Sequence, residues 1–159
     1  MIKVLFVCTG NICRSPMAEA VLRHLVDESG LAGQIQIDSV GISDEEVGNT
    51  THRGTLAVLS KHQIPHEVRR PARQITAADV QTFDYLLAMD KGHLNRLQRF
   101  TDVDKAKLSM FLQYAKEAGT VSVDDVPDPW YTGKFDETYD LIHKGSVAFL
   151  AYLRQQHGI

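Results

Sequence analysis

Ile2-Lys3-Val4-Leu5-Phe6-Val7 runs straight into Cys8-Thr9-Gly10-Asn11-Ile12-Cys13-Arg14-Ser15-Pro16, and the fold follows from that junction. The first six residues are mostly apolar and β-favouring, the pattern of a buried strand. Pro16 suits the first turn of a helix, and Ser15 before it is a good N-cap residue. Apolar side chains then recur at Ala18, Val21, Leu22 and Leu25, one face of a helix that runs out near Gly30. Cys8 to Ser15 therefore makes a tight loop between a buried strand and a helix N-terminus. Amide groups at such a terminus lack intrahelical partners and point outward, so the loop is a ready anion site.

A cysteine opens this loop and an arginine closes it. A thiol is a strong nucleophile only as thiolate, a form favoured by helix N-termini and nearby guanidinium groups. Arg14 offers a planar fork of donors that matches two oxygens of a phosphate, which lysine cannot reproduce. Gly10 tolerates positive φ and lets the backbone approach a ligand, and Asn11 is the next best residue for a left-handed turn. Ser15 carries a hydroxyl able to donate to the sulfur when it departs as an anion. A buried, inert cysteine is the bland reading of Cys8 alone; the strand, the Gly-Asn turn, Arg-Ser and the helix-starting proline together outweigh it.

Outward from this junction, strand and helix alternate. Gln34 to Val40 alternates polar and apolar as a strand with one covered face, and Arg53 to His62 reads as a helix with Leu56 and Leu59 inward. Thr76 caps a short helix, Tyr85 to Met89 is a short apolar strand, and a helix follows from about Gly92 to Arg99. Lys107 to Phe111 reads as a last strand, although Leu112 to Lys116 could continue it as helix. Gly119 to Thr132 is a long loop, and Phe135 to Gln156 closes the chain as a helix with Tyr139, Ile142, Phe149 and Leu150 inward. Such alternation predicts a single α/β domain over residues 1–159 with a parallel sheet. Ligands of such sheets sit at the carboxyl ends of the strands, where Cys8 lies.

Bulk properties narrow the function. The 159 residues fit one domain, and 43% hydrophobic with 23% charged residues is the make-up of a soluble globular protein. A net charge of −3 argues against a nucleic-acid binder. Neither a leader sequence nor an apolar run of membrane-spanning length is evident, so no membrane association and a cytoplasmic location are expected. Two cysteines five residues apart suit neither a disulfide scaffold nor a zinc site. His62 and His66 are interrupted by Pro65, so no metal pair is expected there. Arg69, Arg70 and Arg73 read by default as a solvated charged face.

The long loop adds a second chemical element. Asp128 stands between Pro127 and Pro129, with Trp130-Tyr131 following. A phosphate ester needs an acid to protonate its leaving oxygen, and a stiffly held carboxyl is a candidate. An Asp-Pro turn with two surface aromatics is the alternative. Asp124 and Asp125 compete for the role but lack the proline frame.

Val7-Cys8-Thr9-Gly10-Asn11-Ile12-Cys13-Arg14-Ser15-Pro16-Met17-Ala18-Glu19 resembles the N-terminal signature of the low-molecular-weight protein tyrosine phosphatases. The likeness continues through Asp38-Ser39, Ala72-Arg73-Gln74-Ile75-Thr76, Phe83-Asp84-Tyr85, Ala88-Met89-Asp90 and Val126 to Tyr131. It implies a three-layer domain whose four parallel strands lie in the order 2-1-3-4, with helices on both faces. It further implies Cys8 as nucleophile, with Arg14 and the amides of Thr9 to Cys13 holding phosphate, and Asp128 as general acid and then base. Ser15 would assist the leaving sulfur, Asn11 would hold the loop in shape with Ser39, and Ile12, Trp130 and Tyr131 would wall a slot for an aromatic ring. Phosphotyrosine proteins would be the substrates and inorganic phosphate the product and inhibitor, with no cofactor or metal, in a monomer.

Three positions depart from the family pattern. Asp44-Glu45-Glu46 occupies a region where relatives often have an aromatic residue, so Glu45 is expected in the slot wall, disfavouring acidic substrate flanks. Arg70 stands where many relatives have a histidine that joins the asparagine–serine network, which leaves open what completes it. Cys13 precedes Arg14, and could trap oxidised Cys8 as a disulfide or serve only as a small core residue. Three rival readings are an arsenate reductase, which needs further relay cysteines; a protein arginine phosphatase, whose branch carries threonine where Ile12 stands; and a non-catalytic phosphate-binding module, which would leave Cys8 and Asp128 idle.

Overall fold

The computed structural model describes residues 1–100 and 102–159. Four strands, β1 (Ile2–Cys8), β2 (Ile35–Gly41), β3 (Tyr85–Ala88) and β4 (Leu108–Met110), form one sheet in the order 2-1-3-4. Every pairing is parallel, with Val4 of β1 between Ile37 of β2 and Tyr85 of β3. Connections between parallel strands must cross the sheet, and the helices that do so are α1 (Arg14–Glu28), α2 (Arg53–Lys61), α3 (Ala77–Thr82) and α4 (Lys91–Leu97). Three more follow β4: α5 (Gln113–Glu117), α6 (Pro129–Thr132) and α7 (Phe135–His157).

Strand β1 shows why both faces need cover. Its side chains alternate, so Val4, Phe6 and Cys8 join one core with Met17 and Val21 of α1 and Ile142 and Phe149 of α7, whereas Leu5 and Val7 join a second with Val80 of α3 and Leu97 of α4. That division makes the three layers. The α7 face agrees with its expected spacing: Tyr139, Ile142, Phe149 and Leu150 are all buried, as is Leu153.

Four local expectations are corrected or refined. Helix α1 starts at Arg14, and its N-cap is Cys13, which makes no side-chain cap. Ser15 lies inside the helix, with its hydroxyl 2.9 Å from the Cys8 sulfur. The long loop ends in one helical turn, α6, whose N-cap is Asp128. The ambiguous stretch after β4 resolves as both readings in succession: the strand stops at Met110 and α5 takes Gln113–Glu117. In α2 the buried face is Thr55, Val58 and Leu59, with Leu56 only half-buried.

Candidate active site

Residues 8–14 wrap around the end of β1 so that Cys8, Thr9, Gly10, Ile12, Cys13 and Arg14 border a cleft of about 90 Å³. Asp128, Trp130 and Tyr131 face them from the α6 side, and Ser43, Glu45 and Glu46 close the rim. The sequence-derived candidates are thus gathered in one place, with Asn11, Ser15 and Ser39 buried beneath the loop at 1%, 0% and 0% exposure.

Asn11, rather than Gly10, adopts the left-handed backbone conformation, with φ 60°. Gly10 is needed for space instead: a Cβ there would lie 2.9 Å from Glu46 Cγ. The Asn11 amide is saturated. Its Oδ1 accepts from Arg70 Nη1 at 2.9 Å and from the Arg73 amide at 3.1 Å, while Nδ2 donates to Ser15 Oγ at 2.9 Å and Ser39 Oγ at 3.0 Å. An arginine can only donate, so Arg70 fixes which end of the amide faces which way. Ser15 Oγ therefore accepts from Asn11 and lies 2.9 Å from Cys8 Sγ and 3.4 Å from the Val40 carbonyl, so its proton is at hand for a thiolate at Cys8. Hydrogen-bond direction is set from Arg70 as far as Ser15.

Arg70 is thus not a solvated charge. It fills the open place in the network, bonding also to the Ser39 carbonyl at 2.8 Å and to Glu19 Oε1 at 3.1 Å. Ser39 in turn donates to Glu19 at 2.6 Å. Arg73 bridges Asp38 at 2.9 Å and Asp79 at 2.8 Å. These charged residues fasten the strand that carries Ser39 to the loop below Asn11.

Arg14, with a side chain 4% exposed, is held by its Nη1, which donates to Asp90 Oδ2 at 2.8 Å and the Val126 carbonyl at 2.9 Å. Its Nη2 lies 3.4 Å from Asp128 Oδ2 and has no closer acceptor. Burial alone would raise the Asp90 carboxyl, but the hydrogen bond from Arg14 and the His93 amide hold it below the usual carboxylate range. Asp128 Oδ1 accepts from the Trp130 amide at 3.1 Å, which turns the carboxyl toward the cleft. Its competitors are engaged elsewhere, Asp124 with Lys116 and Asp125 with the Lys91 amide. Cys13 is pushed up to about 12, first by burial and then by the neighbouring Cys8, so it keeps its proton at neutral pH.

Gly41 ends β2 directly under the loop, and sequence reasoning did not single it out. A Cβ there would meet the Thr9 carbonyl oxygen at 2.8 Å, Gly10 C at 3.0 Å and Asn11 N at 3.2 Å. All three are backbone atoms and cannot swing aside. Gly41→Ala is therefore expected to displace the loop and cost about a hundredfold in kcat/KM, since misplacing a reacting group by an ångström has that effect. Gly33→Ala, with nothing within 4 Å, is the control; assaying both on an aryl phosphate checks the difference.

An anion loop at the carboxyl end of a parallel sheet, with a thiol, a guanidinium and a carboxyl converging on it, puts the protein among the α/β enzymes of phosphate ester chemistry. Comparison with known proteins narrows the class. The sequence matches the family described as low molecular weight phosphotyrosine protein phosphatase over residues 3–158, and the chain belongs to that family of hydrolases. It is 40% identical over 157 residues to the low molecular weight protein-tyrosine-phosphatase YfkJ of Bacillus subtilis, covering 98% of each chain. The YfkJ crystal structure superposes with a TM-score of 0.92 over 98% of this chain and 96% of that one. The low molecular weight phosphotyrosine protein phosphatase of Schizosaccharomyces pombe is 42% identical over 153 residues, 94% of this chain and 95% of that protein. A Drosophila arginine phosphatase structure is also similar, at 31% identity and a TM-score of 0.85, covering 96% of this chain and 98% of that one.

Proposed function

We propose that the chain hydrolyses phosphotyrosine in proteins, and aryl phosphates generally, through a phosphocysteine formed on Cys8. The observation that carries this reading is the hydrogen-bond chain that leads to the sulfur, Arg70 to Asn11 to Ser15 to Cys8, in which Ser15 can donate once Cys8 is a thiolate. A phosphate-binding module has no use for a hydroxyl held against a thiol. A leaving thiolate does.

In the first step the Cys8 thiolate attacks phosphorus, the P–O bond to the phenol breaks, and Asp128 gives its proton to the departing oxygen. Loop amides of Thr9 to Cys13 and the Arg14 fork hold the other phosphate oxygens, on which transition-state charge is spread. In the second step the Asp128 carboxylate takes a proton from water, the water oxygen bonds to phosphorus, and the S–P bond breaks. The Ser15 hydroxyl stabilises the sulfur anion released. Inorganic phosphate leaves as product and competes with substrate. No cofactor enters the scheme. A monomer suffices for it, and a thiol that must stay reduced suits the cytoplasm.

Rapid quenching of turnover followed by mass spectrometry is expected to find a phosphoryl group on Cys8; an unmodified Cys8 during measurable turnover overturns the mechanism. Faster hydrolysis of phosphoarginine than of phosphotyrosine peptides would favour the arginine phosphatase reading instead, against which Ile12 at the cleft wall weighs as an apolar surface for a flat ring. Asp128→Ala is expected to lose about 10²- to 10³-fold on phenyl phosphate, a poor leaving group. The loss should be much smaller on p-nitrophenyl phosphate, whose oxygen needs less protonation. Equal losses on the two substrates would remove Asp128 from the acid role.

The rim supports a preference among protein substrates. Glu46 lies against Gly10, its carboxylate held by Asn49 Nδ2 at 2.7 Å, and Glu45 is exposed beside it. Phosphotyrosine peptides with lysine or arginine flanks are expected to be cleaved several-fold faster in kcat/KM than those with acidic flanks, with the gap closing in high salt. A panel indifferent to flanking charge would refute this. Under peroxide, Cys8 would be oxidised to a sulfenic acid and Cys13 would displace its hydroxyl as water, forming a disulfide that a thiol reductant reverses. The high proton affinity of Cys13 makes that closure slow.

A further inference from the structure

His93 is buried at 5% exposure on the first turn of α4, lies against the cleft residues Thr9 and Arg14 and has no part in the mechanism above. Its Nε2 faces two groups, Thr9 Oγ1 at 2.8 Å and Arg14 Nη2 at 3.5 Å. The guanidinium can only donate, so Nε2 must be the unprotonated nitrogen, and the ring proton sits on Nδ1. Nδ1 lies 3.2 Å from Asp90 Oδ1, without the alignment of a full hydrogen bond. With Nε2 as acceptor, the Thr9 hydroxyl proton points to His93. The lone pairs of Thr9 Oγ1 then face Arg14 Nη2 at 3.5 Å. Arg14 Nη1 returns to the other oxygen of Asp90 at 2.8 Å.

We propose that Thr9 and His93 close a circuit between Arg14 and Asp90, one route direct from Nη1 and the other relayed from Nη2 through Thr9 and His93, in which His93 is a positioning residue that sets Nη2 of the arginine fork for phosphate. Both routes run in one sense, from the donors of Arg14 to the acceptors of Asp90. Asp90 takes both ends of the circuit on its two oxygens, and Arg14 gives both of its terminal nitrogens. The two halves do different work. Nη1 is locked by the Asp90 charge and the Val126 carbonyl. Nη2 has three acceptors, all at the edge of hydrogen-bond range: Asp128 Oδ2 at 3.4 Å and, on the loop side, the neutral Thr9 and His93 at 3.5 Å, which orient it without outcompeting an incoming phosphate oxygen. Burial, and then the charge of Arg14, push the imidazole down to about 4 against the opposing pull of Asp90 and Asp128, which keeps it neutral as the circuit requires.

The closing experiment measures inorganic phosphate affinity by calorimetry and p-nitrophenyl phosphate kinetics for wild type, His93→Leu, His93→Gln, Thr9→Val and the His93→Leu/Thr9→Val double variant. The His93 backbone amide still caps α4 on Asp90 in every variant, and thermal melts report any loss of fold. His93→Leu and Thr9→Val are each expected to weaken phosphate binding about five- to tenfold and to raise KM in parallel, with kcat changed less than about threefold. The double variant is expected to be no weaker than His93→Leu alone, and His93→Gln, whose amide oxygen can accept from Thr9, to recover to within about twofold of wild type. Phosphate affinity of His93→Leu within twofold of wild type, multiplying losses in the double variant, or a glutamine variant no better than leucine overturns the circuit. Should His93→Leu fail to fold, the Thr9→Val and His93→Gln pair decides alone: the circuit requires a loss in the first and near-wild-type affinity in the second. The kinetic half rests on the phosphatase reading. A wild-type protein that binds phosphate but turns over no aryl phosphate defeats that reading and leaves the circuit to the affinities; one that binds no phosphate defeats both.

Discussion

Cys8→Ser is expected to reduce turnover of any phosphate ester on the order of 10⁵-fold while leaving inorganic phosphate bound as well as before or better. Loss of the attacking atom removes the covalent route outright, and in enzymes that depend on such a residue single removal costs that much or more. A hydroxyl is a poor nucleophile at neutral pH, and the nearest hydrogen-bond partner of this side chain, Ser15 Oγ at 2.9 Å, cannot serve as a base because a neutral hydroxyl is far too weakly basic. Binding survives because phosphate is held by loop amides and Arg14, none of which the substitution touches. A neutral hydroxyl also removes a sulfur that reacts as an anion beside a dianionic ligand. Parallel loss of turnover and of phosphate affinity would mean that the loop had collapsed, and residual turnover within a hundredfold of wild type would mean that the nucleophile is another group.

Arg14→Lys is expected to do the opposite with affinity, losing both binding and rate, the rate by about 10³-fold. The fork has two separate tasks. One nitrogen is committed to Asp90 at 2.8 Å and the Val126 carbonyl at 2.9 Å, and the other, with only the longer contact to Asp128 at 3.4 Å, is left for substrate. A lysine has one nitrogen and a tetrahedral set of donors, so it satisfies the buried anchor or the phosphate but never both in one plane. If it chooses the anchor, phosphate loses its bidentate partner. If it chooses phosphate, the buried Val126 carbonyl and half of Asp90 are left without a donor, which costs on the order of 1–3 kcal/mol of stability per unpaired group. Measured together, Tm and the inhibition constant of phosphate distinguish these cases. Wild-type phosphate affinity in Arg14→Lys would show that the loop amides suffice alone.

The legible parts of this protein were the local ones. Residues 2–16 encode a strand, a tight loop and a helix start within a span where propensity, turn chemistry and apolar spacing all act on neighbours, and the alternation of elements after them fixes a parallel sheet. The proline-framed Asp128 stood out as a candidate for the same reason, and it lies in the cleft wall. What failed was the assumption that local chemistry is used locally. Ser15 reads as a cap from its neighbours, but its hydroxyl goes to Cys8. Arg70 sits in a charge run that reads as solvent-facing, yet meets Asn11 59 residues away in sequence, and Asp90 meets Arg14 across 76. Periodicity carries no signal for such pairs. Gly41 was invisible for a related reason: its need for an absent side chain comes from a loop more than thirty residues earlier passing 2.8 Å above it.

The peptide unit of Val126 has a consequence of its own. Its N–H donates to the Met89 carbonyl at 2.9 Å, its carbonyl accepts from Arg14 at 2.9 Å, and its side chain is fully buried. Two residues later comes Asp128. In the proposed mechanism the segment bearing the acid is thus riveted to the sheet before substrate arrives, and no flap has to shut before a proton can be delivered. Such a site is always open to solvent, as Tyr131 at 84% exposure attests, so shielding from water falls to the substrate's own aromatic ring, and a phosphate ester lacking one enters a wetter, less effective reaction chamber.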